Sequence, residues 1–213
     1  MSGRADMPAP RAGAEVVARA APGVPFRPLH CDWAWRPAPW ASRLSGAAVD
    51  WVQSGHALTG DVSLHHDASS ACRIACSQMA QPEGPADQAL SLTAEGFDGS
   101  FLSLALELPP AAWQGLRPDH LLGVWLALTE EGGGVYLRLN IRHGPNHLQL
   151  LRHVPPGRGA DAGGVLTEFD LICTPFNEKR VSQIWCDLIL GDEGSSGAVL
   201  RDVSLTRRPR AAI

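Results

Sequence analysis

The chain has 213 residues, of which 45% are apolar, and its formal net charge is −4 at pH 7. This length suits one all-β domain with extra segments, and the apolar fraction excludes a chain that is disordered throughout. The small negative charge gives no general electrostatic reason to bind nucleic acid or anionic lipid, and no stretch approaches the ~20 apolar residues of a membrane-spanning helix.

Residues 1–28 are rich in Ala, Pro, Gly and Arg and show no hydrophobic periodicity. Such a segment cannot bury enough apolar area to offset its chain entropy, so we predict a flexible tail. The first 21 residues also contain charged side chains (Arg4, Arg11, Glu15 and Arg19) and no apolar core of a secretory signal. We therefore expect a cytoplasmic protein.

Residues 29–60 form a Trp-rich segment that is interrupted by prolines; its indoles are Trp33, Trp35, Trp40 and Trp51. Prolines argue against a regular element here. Since each indole can bury on the order of 150–250 Å², four of them are not expected to remain in water. The segment is predicted to be an irregular extension that its tryptophans hold against the rest of the protein, and the alternative is a partner-binding arm.

Residues 61–213 are predicted to form the β-domain. In residues 135–142 every odd position is apolar and the even positions are Tyr, Arg, Asn and Arg, which indicates a strand with one dry and one polar face. Similar segments bounded by turn-forming residues predict ten strands: 61–66, 71–78, 88–94, 100–108, 121–130, 135–143, 147–154, 164–173, 182–190 and 198–207. This spacing favours an all-β, antiparallel, jelly-roll-like sandwich.

The polar positions of these strands are the candidate ligand-binding residues, provided that the strands lie in one sheet. They are Trp125, Tyr136, Arg138, Asn140, Arg142, Glu168, Asp170, Trp185 and Asp187. Aromatic rings beside Arg, Asn and carboxylates suit a saccharide, because sugar C–H faces stack on indoles while charged groups bind hydroxyls. The alternative is that opposite charges form ordinary cross-strand pairs and that the Trp-rich N-terminal segment covers the tryptophans.

Metal and catalytic motifs are not recognisable, so we expect no cofactor, no metal and no catalytic residue. His143 and His147 flank a tight turn and are not an i, i+4 helical pair, and Cys72 and Cys76 lack a second ligand pair. Five widely spaced cysteines are an odd number, which favours free thiols. The loops 144–146 and 177–180 can either grip a ligand or cap their own backbone, and we favour the structural role.

Four sequence blocks carry a resemblance to a known family: residues 97–104 (FDGSFLSL), 143–146 (HGPN), 177–180 (NEKR) and 200–210. Together they resemble an uncharacterised domain-of-unknown-function family of alphaproteobacteria, especially the rhodobacter group, over roughly residues 30–213. The closing Arg-Asp-Val-Ser-Leu strand more loosely resembles the last strand of galactose-binding-like and carbohydrate-binding-module jelly rolls. The first resemblance implies no activity, and the second concerns the fold alone.

Three functions follow from these features. The first is a non-catalytic cytoplasmic module that binds a saccharide or glycoconjugate precursor on the polar sheet face. The second is a protein-interaction or assembly subunit that uses the Trp-rich segment or the same face. The third is a glycoside-acting enzyme with Glu168, Asp170 or Asp187 as paired carboxylates, which is the least favoured because nothing marks one as acid and another as base. The sequence does not indicate an oligomeric state.

Overall fold

The computed structural model describes residues 25–46, 48–82, 84–129, 134–155, 163–190 and 197–211. In chain order the strands are β1 (Trp33–Trp35), β2 (Ala48–Val49), β3 (His56–Ala57), β4 (Val62–His66), β5 (Arg73–Ala80), β6 (Gln88–Glu95), β7 (Leu102–Glu107), β8 (His120–Leu128), β9 (Val135–His143), β10 (Asn146–Val154), β11 (Val165–Asp170), β12 (Val181–Leu190) and β13 (Gly197–Pro209). One short α-helix, α1, spans Ala38–Ala41, and 3₁₀ turns span Pro110–Ala112 and Glu178–Arg180.

The strands form two antiparallel sheets. The back sheet has the order β11-β8-β13-β6-β5-β2, and β1 also pairs with β13. The front sheet has the order β10-β9-β12-β7-β4-β3. All ten strands predicted from the sequence are present within a few residues of their predicted ends, so the all-β antiparallel sandwich is confirmed.

The hydrophobic core lies between the two sheets and follows the alternation of the strands. In β9 the odd residues Leu137, Leu139 and Ile141 are buried in the core, and in β12 the inward residues include Cys186 and Leu188. Successive side chains of a strand point to opposite faces, so the even residues of β9 and the odd residues of β12 lie on the outer face of the front sheet. This alternation creates the polar face on which the candidate site is built.

The Trp-rich segment is part of both sheets. It supplies β1 and β2 to the back sheet and β3 to the front sheet, where the sequence predicted no strand. Trp40 of α1 is fully buried, and its indole N–H donates a hydrogen bond of 3.0 Å to the carbonyl of Leu200. Prolines at 37 and 39 lie at the start of α1, because proline suits the first turn of a helix. Strand β1 ends before the first of these prolines.

The tail predicted for residues 1–28 falls largely outside the described residues, which begin at 25. Within them, Phe26 is buried and stacks on Trp125, with ring centroids 4.1 Å apart and an angle of 9° between the rings. The last residues of the predicted tail are therefore packed against the back sheet. Among the described helices, none has the length and hydropathy needed to cross a bilayer.

Candidate functional site

The outer face of the front sheet brings together six of the nine candidate residues: Tyr136, Arg138, Asn140 and Arg142 on β9, and Trp185 and Asp187 on β12. The two strands are hydrogen-bonded neighbours, with Trp185 opposite Asn140 and Asp187 opposite Arg138. The other three candidates, Trp125, Glu168 and Asp170, lie on β8 and β11 of the back sheet. The condition that all these strands share one sheet is therefore not met.

Trp125 is a buried residue of the back sheet. Only 4% of it is exposed, because Phe26 lies flat against its indole. The alternative prediction placed the Trp-rich segment over the tryptophans. The residue that covers Trp125 is instead Phe26, which precedes that segment and belongs to the predicted tail. Trp185 is half-buried on the opposite sheet.

Glu168 and Asp170 connect the edge strand β11 to arginines at the end of the last strand, β13. Glu168 accepts two hydrogen bonds from Arg208, at 2.7 and 2.8 Å, and Asp170 lies 3.2 Å from Arg210. Glu168 lies opposite Gly123 of β8, where a Cβ would be 2.6 Å from the hydroxyl oxygen of Thr206 and 3.8 Å from Cγ of Glu168. Each carboxylate is thus neutralised by its own arginine, and neither faces Asp187 as an acid–base partner.

Asp187 anchors a hydrogen-bond network beneath the surface of the front sheet. Its carboxylate accepts from Arg138 Nε at 2.8 Å and from Asn140 Nδ2 at 2.9 Å. The amide oxygen of Asn140 in turn accepts from Gln149 of β10 at 2.9 Å. Asn140 is fully buried and Asp187 nearly so, which means that these groups satisfy one another and support the strands.

Trp185 stands above this network and is flanked by two cationic or polar side chains. The imidazole of His147 stacks on it with ring centroids 5.0 Å apart and an interplanar angle of 19°. The guanidinium carbon of Arg142 lies 5.8 Å from the indole centroid, within the range of a cation–π contact. Two neighbours thus contact the indole and restrict its orientation.

A groove of about 270 Å³ opens beside Trp185 on the same face. One wall is formed by Trp185 and Arg142, and the other by the turn between β3 and β4. The polar side chains that line the groove are Thr59, Asp61, Ser63, Glu107, Arg142 and Gln183. Of the nine predicted residues, only Trp185 and Arg142 line the groove. Tyr136 lies farther along β9. The remaining residues of this face belong to the hydrogen-bond network of Asp187.

The β3–β4 turn positions the far wall of the groove. Leu58 and Thr59 each donate a backbone hydrogen bond to Val62, and the hydroxyl of Thr59 donates to the carboxylate of Asp61. The backbone of Glu107 donates to the carbonyl of Asp61 at 2.8 Å, which places the two acidic residues side by side across β4 and β7. Gln183 donates to Glu107 Oε1 at 2.8 Å and connects them to β12.

These lining residues were missed because their signal is weak in the sequence. Glu107 shares the alternating outer face of its strand with Ser103 and Ala105, so the alternation places it correctly. A single carboxylate at a strand end, however, is not a recognisable binding motif. Asp61 looks like an ordinary turn residue. Asp61 lines the groove because β3 pairs with β4 and brings the intervening turn to this face. A strand of two residues is too short to show a hydrophobic periodicity in the sequence.

The loops 144–146 and 177–180 pack against each other at one end of the front sheet. Gly144 N–H donates to the carbonyl of Arg180 at 3.0 Å, and Asn177 caps its own 3₁₀ turn by accepting from Lys179 N–H at 3.0 Å. Gly144 has φ +61°, and a Cβ at this position would lie 2.9 Å from the guanidinium carbon of Arg180. The contacts are those of backbone capping.

The histidines and cysteines are dispersed over the fold. His143 is buried and accepts from Asn177 N–H at 3.3 Å, while His153 packs on Tyr136 with a centroid distance of 4.5 Å. In the described part of the chain no three metal-ligating side chains come together. All five cysteines are described, and each is a free thiol.

The sequence pattern of a family of unknown function (DUF6478) matches residues 14–213. The chain belongs to this family. This agrees with the resemblance seen in the four sequence blocks. A comparison with curated protein sequences finds no match.

Solved structures with similar folds include carbohydrate-binding modules. The family 11 module from Clostridium thermocellum, in complex with a β-1,3-1,4-mixed-linked tetrasaccharide, has 6% identity and a TM-score of 0.44 over 76% of this chain and 98% of that chain. The C-terminal family 22 module of Clostridium thermocellum Xyn10B has 8% identity and a TM-score of 0.41 over 86% and 96%. An apo-form cyclase from Fischerella sp. has 15% identity and a TM-score of 0.40 over 79% and 100%. The shared feature is the two-sheet β-sandwich.

Proposed function

We propose that this member of the DUF6478 family is a non-catalytic binding module that holds a saccharide in the groove of the front sheet. The observation that carries the proposal is the groove itself, a concave site of about 270 Å³ with an indole wall and polar side chains on its floor and rim. Binding sites combine an apolar surface with a few fixed polar groups in this way.

The chemistry of the lining suits hydroxyl groups. Asp61 and Glu107 offer carboxylate oxygens as acceptors, while Arg142 and Gln183 offer donors in the same lining. A sugar ring carries hydroxyls that both donate and accept, and its C–H face packs on an indole such as Trp185. A purely apolar ligand would leave the polar side chains of the lining without hydrogen-bond partners, so the groove is poorly suited to it.

The fixed geometry of the groove also supports a binding role. His147 and Arg142 hold the Trp185 indole, and Gln183 ties Glu107 to the neighbouring strand. Side chains that are already restrained lose little conformational entropy when a ligand binds. The supporting network of Asp187, described above, holds β9 and β12 in register beneath them.

The experiment is a glycan array with the full-length protein, followed by calorimetry with the oligosaccharides that bind. Trp185→Ala should weaken binding by about tenfold or more, because a stacked aromatic surface is lost. Glu107→Gln keeps the size of an exposed side chain and should also weaken binding without affecting the melting temperature.

The matched control is Tyr136→Ala, which removes an exposed aromatic ring from the same face outside the groove. Its affinity should equal that of the wild type. Equal affinities for the wild type, Trp185→Ala and Glu107→Gln, or no glycan binding by the wild type, would remove the groove from consideration as a saccharide site.

A protein-interaction role is the second candidate, and two exposed side chains on the same face favour it. Leu151 of β10 is 54% exposed and Tyr136 of β9 is 39% exposed. The Trp-rich segment is less suited to this role, because Trp40 is fully buried and its neighbours pack on the core. Sedimentation velocity of the wild type and of Leu151→Ser distinguishes the two candidates: only an interface predicts that the substitution abolishes self-association.

A further inference from the structure

Trp51 is the exception among the four indoles of the Trp-rich segment. Trp40 is fully buried, and Trp33 and Trp35 pack against the core. Trp51 is 60% exposed. An indole is the largest apolar side chain, so its exposure in a segment that otherwise buries its tryptophans requires a local cause.

The backbone holds this indole outward. Trp51 has φ +58°, in the left-handed region where a bulky side chain is strained and glycine is not. On one side Val49 pairs with Cys76 of β5, and on the other Val52 is buried and donates its N–H to the Ile74 carbonyl at 2.9 Å. With both flanks fixed to the same strand, Asp50 and Trp51 form a bulge at the edge of the back sheet.

One charged side chain lies beside the exposed ring, and two carboxylates contact that side chain. The guanidinium carbon of Arg73 lies 5.9 Å from the centroid of Trp51. Arg73 is itself held by Asp50 at 3.5 Å and by Glu95 of β6 at 3.7 Å. All three charged side chains are between 42% and 70% exposed, so their donors and acceptors remain accessible beside the ring.

The surroundings of Trp51 favour a sugar unit over a protein partner or a lipid surface as the ligand. A protein partner or a lipid surface needs a continuous apolar patch of several hundred Å², whereas Trp51 is a single exposed ring with the guanidinium of Arg73 beside it. A sugar unit needs one aromatic platform with hydrogen-bonding groups at its border. Backbone strain that is kept at an exposed position is typical of functional sites.

We propose that Trp51, with Arg73, Asp50 and Glu95, is a second saccharide-contacting site, specific for neutral sugar units of a polysaccharide chain. It lies on the β2–β5 edge of the back sheet, whereas the groove lies on the front sheet, so the two sites are separate and neither requires the other. Two sites on one chain make the protein bivalent toward a polysaccharide, which increases its retention beyond the affinity of either site.

The test is native affinity electrophoresis of the full chain through gels that contain a soluble glucan, xylan, mannan or galactan. Trp51→Ala and Trp185→Ala should each reduce the retardation by the polysaccharide that binds, about tenfold in apparent affinity, and the double variant should migrate as in a gel without polysaccharide. Arg43→Ala, which removes an exposed charge elsewhere in the Trp-rich segment, is the matched control and should leave retardation unchanged.

The outcomes distinguish this site from the groove. Loss of retardation in Trp185→Ala with wild-type behaviour of Trp51→Ala overturns the Trp51 site and leaves the groove standing. The reverse pattern supports the Trp51 site and overturns the groove. A wild type that is not retarded by any of the four polysaccharides overturns both.

A stability measurement separates a binding role from a structural one. Trp51→Gly relieves the positive φ and should leave the melting temperature unchanged or raise it by about 2–4 °C. A decrease of that size or more in both Trp51→Gly and Trp51→Ala would mean that the indole stabilises the fold, and it would overturn the proposal.

Discussion

Arg36 and Asp202 form a buried ion pair that joins the N-terminal segment to the last strand. Arg36 Nε lies 2.9 Å from one carboxylate oxygen and Nη2 lies 3.0 Å from the other, and both side chains are at most 3% exposed. Nη2 also donates to the carbonyl of Pro85. Burial raises the pKa of Asp202, while the guanidinium of Arg36 acts in the opposite direction.

Breaking this pair should be costly, because removing one partner leaves a buried charge without compensation. Arg36→Ala is expected to lower the free energy of unfolding by about 3–5 kcal/mol. The double variant Arg36→Met/Asp202→Leu should lose clearly less, since it removes both charges and keeps the volume. Urea denaturation of the three proteins measures the difference, and equal losses would show that the charge pairing does not matter here.

The stack of Phe26 on Trp125 predicts where the N-terminal tail can be shortened. Deletion of residues 1–24 should leave the melting temperature unchanged, as expected for a composition with few large apolar residues. Phe26→Ala should lower the free energy of unfolding by about 1.5–3 kcal/mol, because a buried ring leaves the surface of Trp125. Thermal unfolding measures both, and identical curves for Phe26→Ala and the wild type would refute the docking.

Acid should destabilise the protein through His120. Burial lowers the pKa of His120 below the ordinary value of 6.5, and its Nδ1 accepts the N–H of Arg117, which requires the neutral ring. The unfolded chain therefore binds a proton more readily than the folded one, so stability falls as the pH drops through about 6.5. Urea denaturation at pH 8 and 5.5 measures this drop, which should be smaller in His120→Gln.

The thiols should react in an order set by burial. Cys173 is exposed, whereas Cys76 and Cys186 are buried. Burial raises the pKa of Cys76 to about 12 and raises that of Cys186 as well, and the thiol form is unreactive. Native labelling should modify Cys173 first and leave Cys186 until unfolding. Cys173→Ser should remove the fast phase, and rapid native labelling of Cys186 would contradict the register of β12.

The fold could be predicted from the sequence because strand alternation is a local property. Residues 135–142 alternate without interruption, and β9 spans Val135–His143 in the structure. Which residues share the candidate site depends instead on which strands pair. Strand pairing joins residues that are far apart in the chain, so local alternation does not predict it. Nothing local distinguishes Asp187 on the front sheet from Glu168 on the back sheet, since both follow the same alternation.

Strand alternation also cannot predict whether another segment of the chain packs over an outward-facing side chain. Trp125 and Trp185 occupy equivalent outward positions in their strands, but Phe26 covers only the first. The groove depends on the β3–β4 turn, where a two-residue strand gives no periodic signal. The polar face was therefore found, while the groove within it required the three-dimensional structure.

The central place of β13 has a consequence for synthesis on the ribosome. This last strand lies between β8 and β6, and it also pairs with β1. Until residues 197–209 leave the exit tunnel, the back sheet is two separate halves, and Trp40 and Arg36 lack their partners. The back sheet therefore closes only after these residues have emerged, with slow formation of long-range pairs and a period in which unpaired strand edges are open to aggregation.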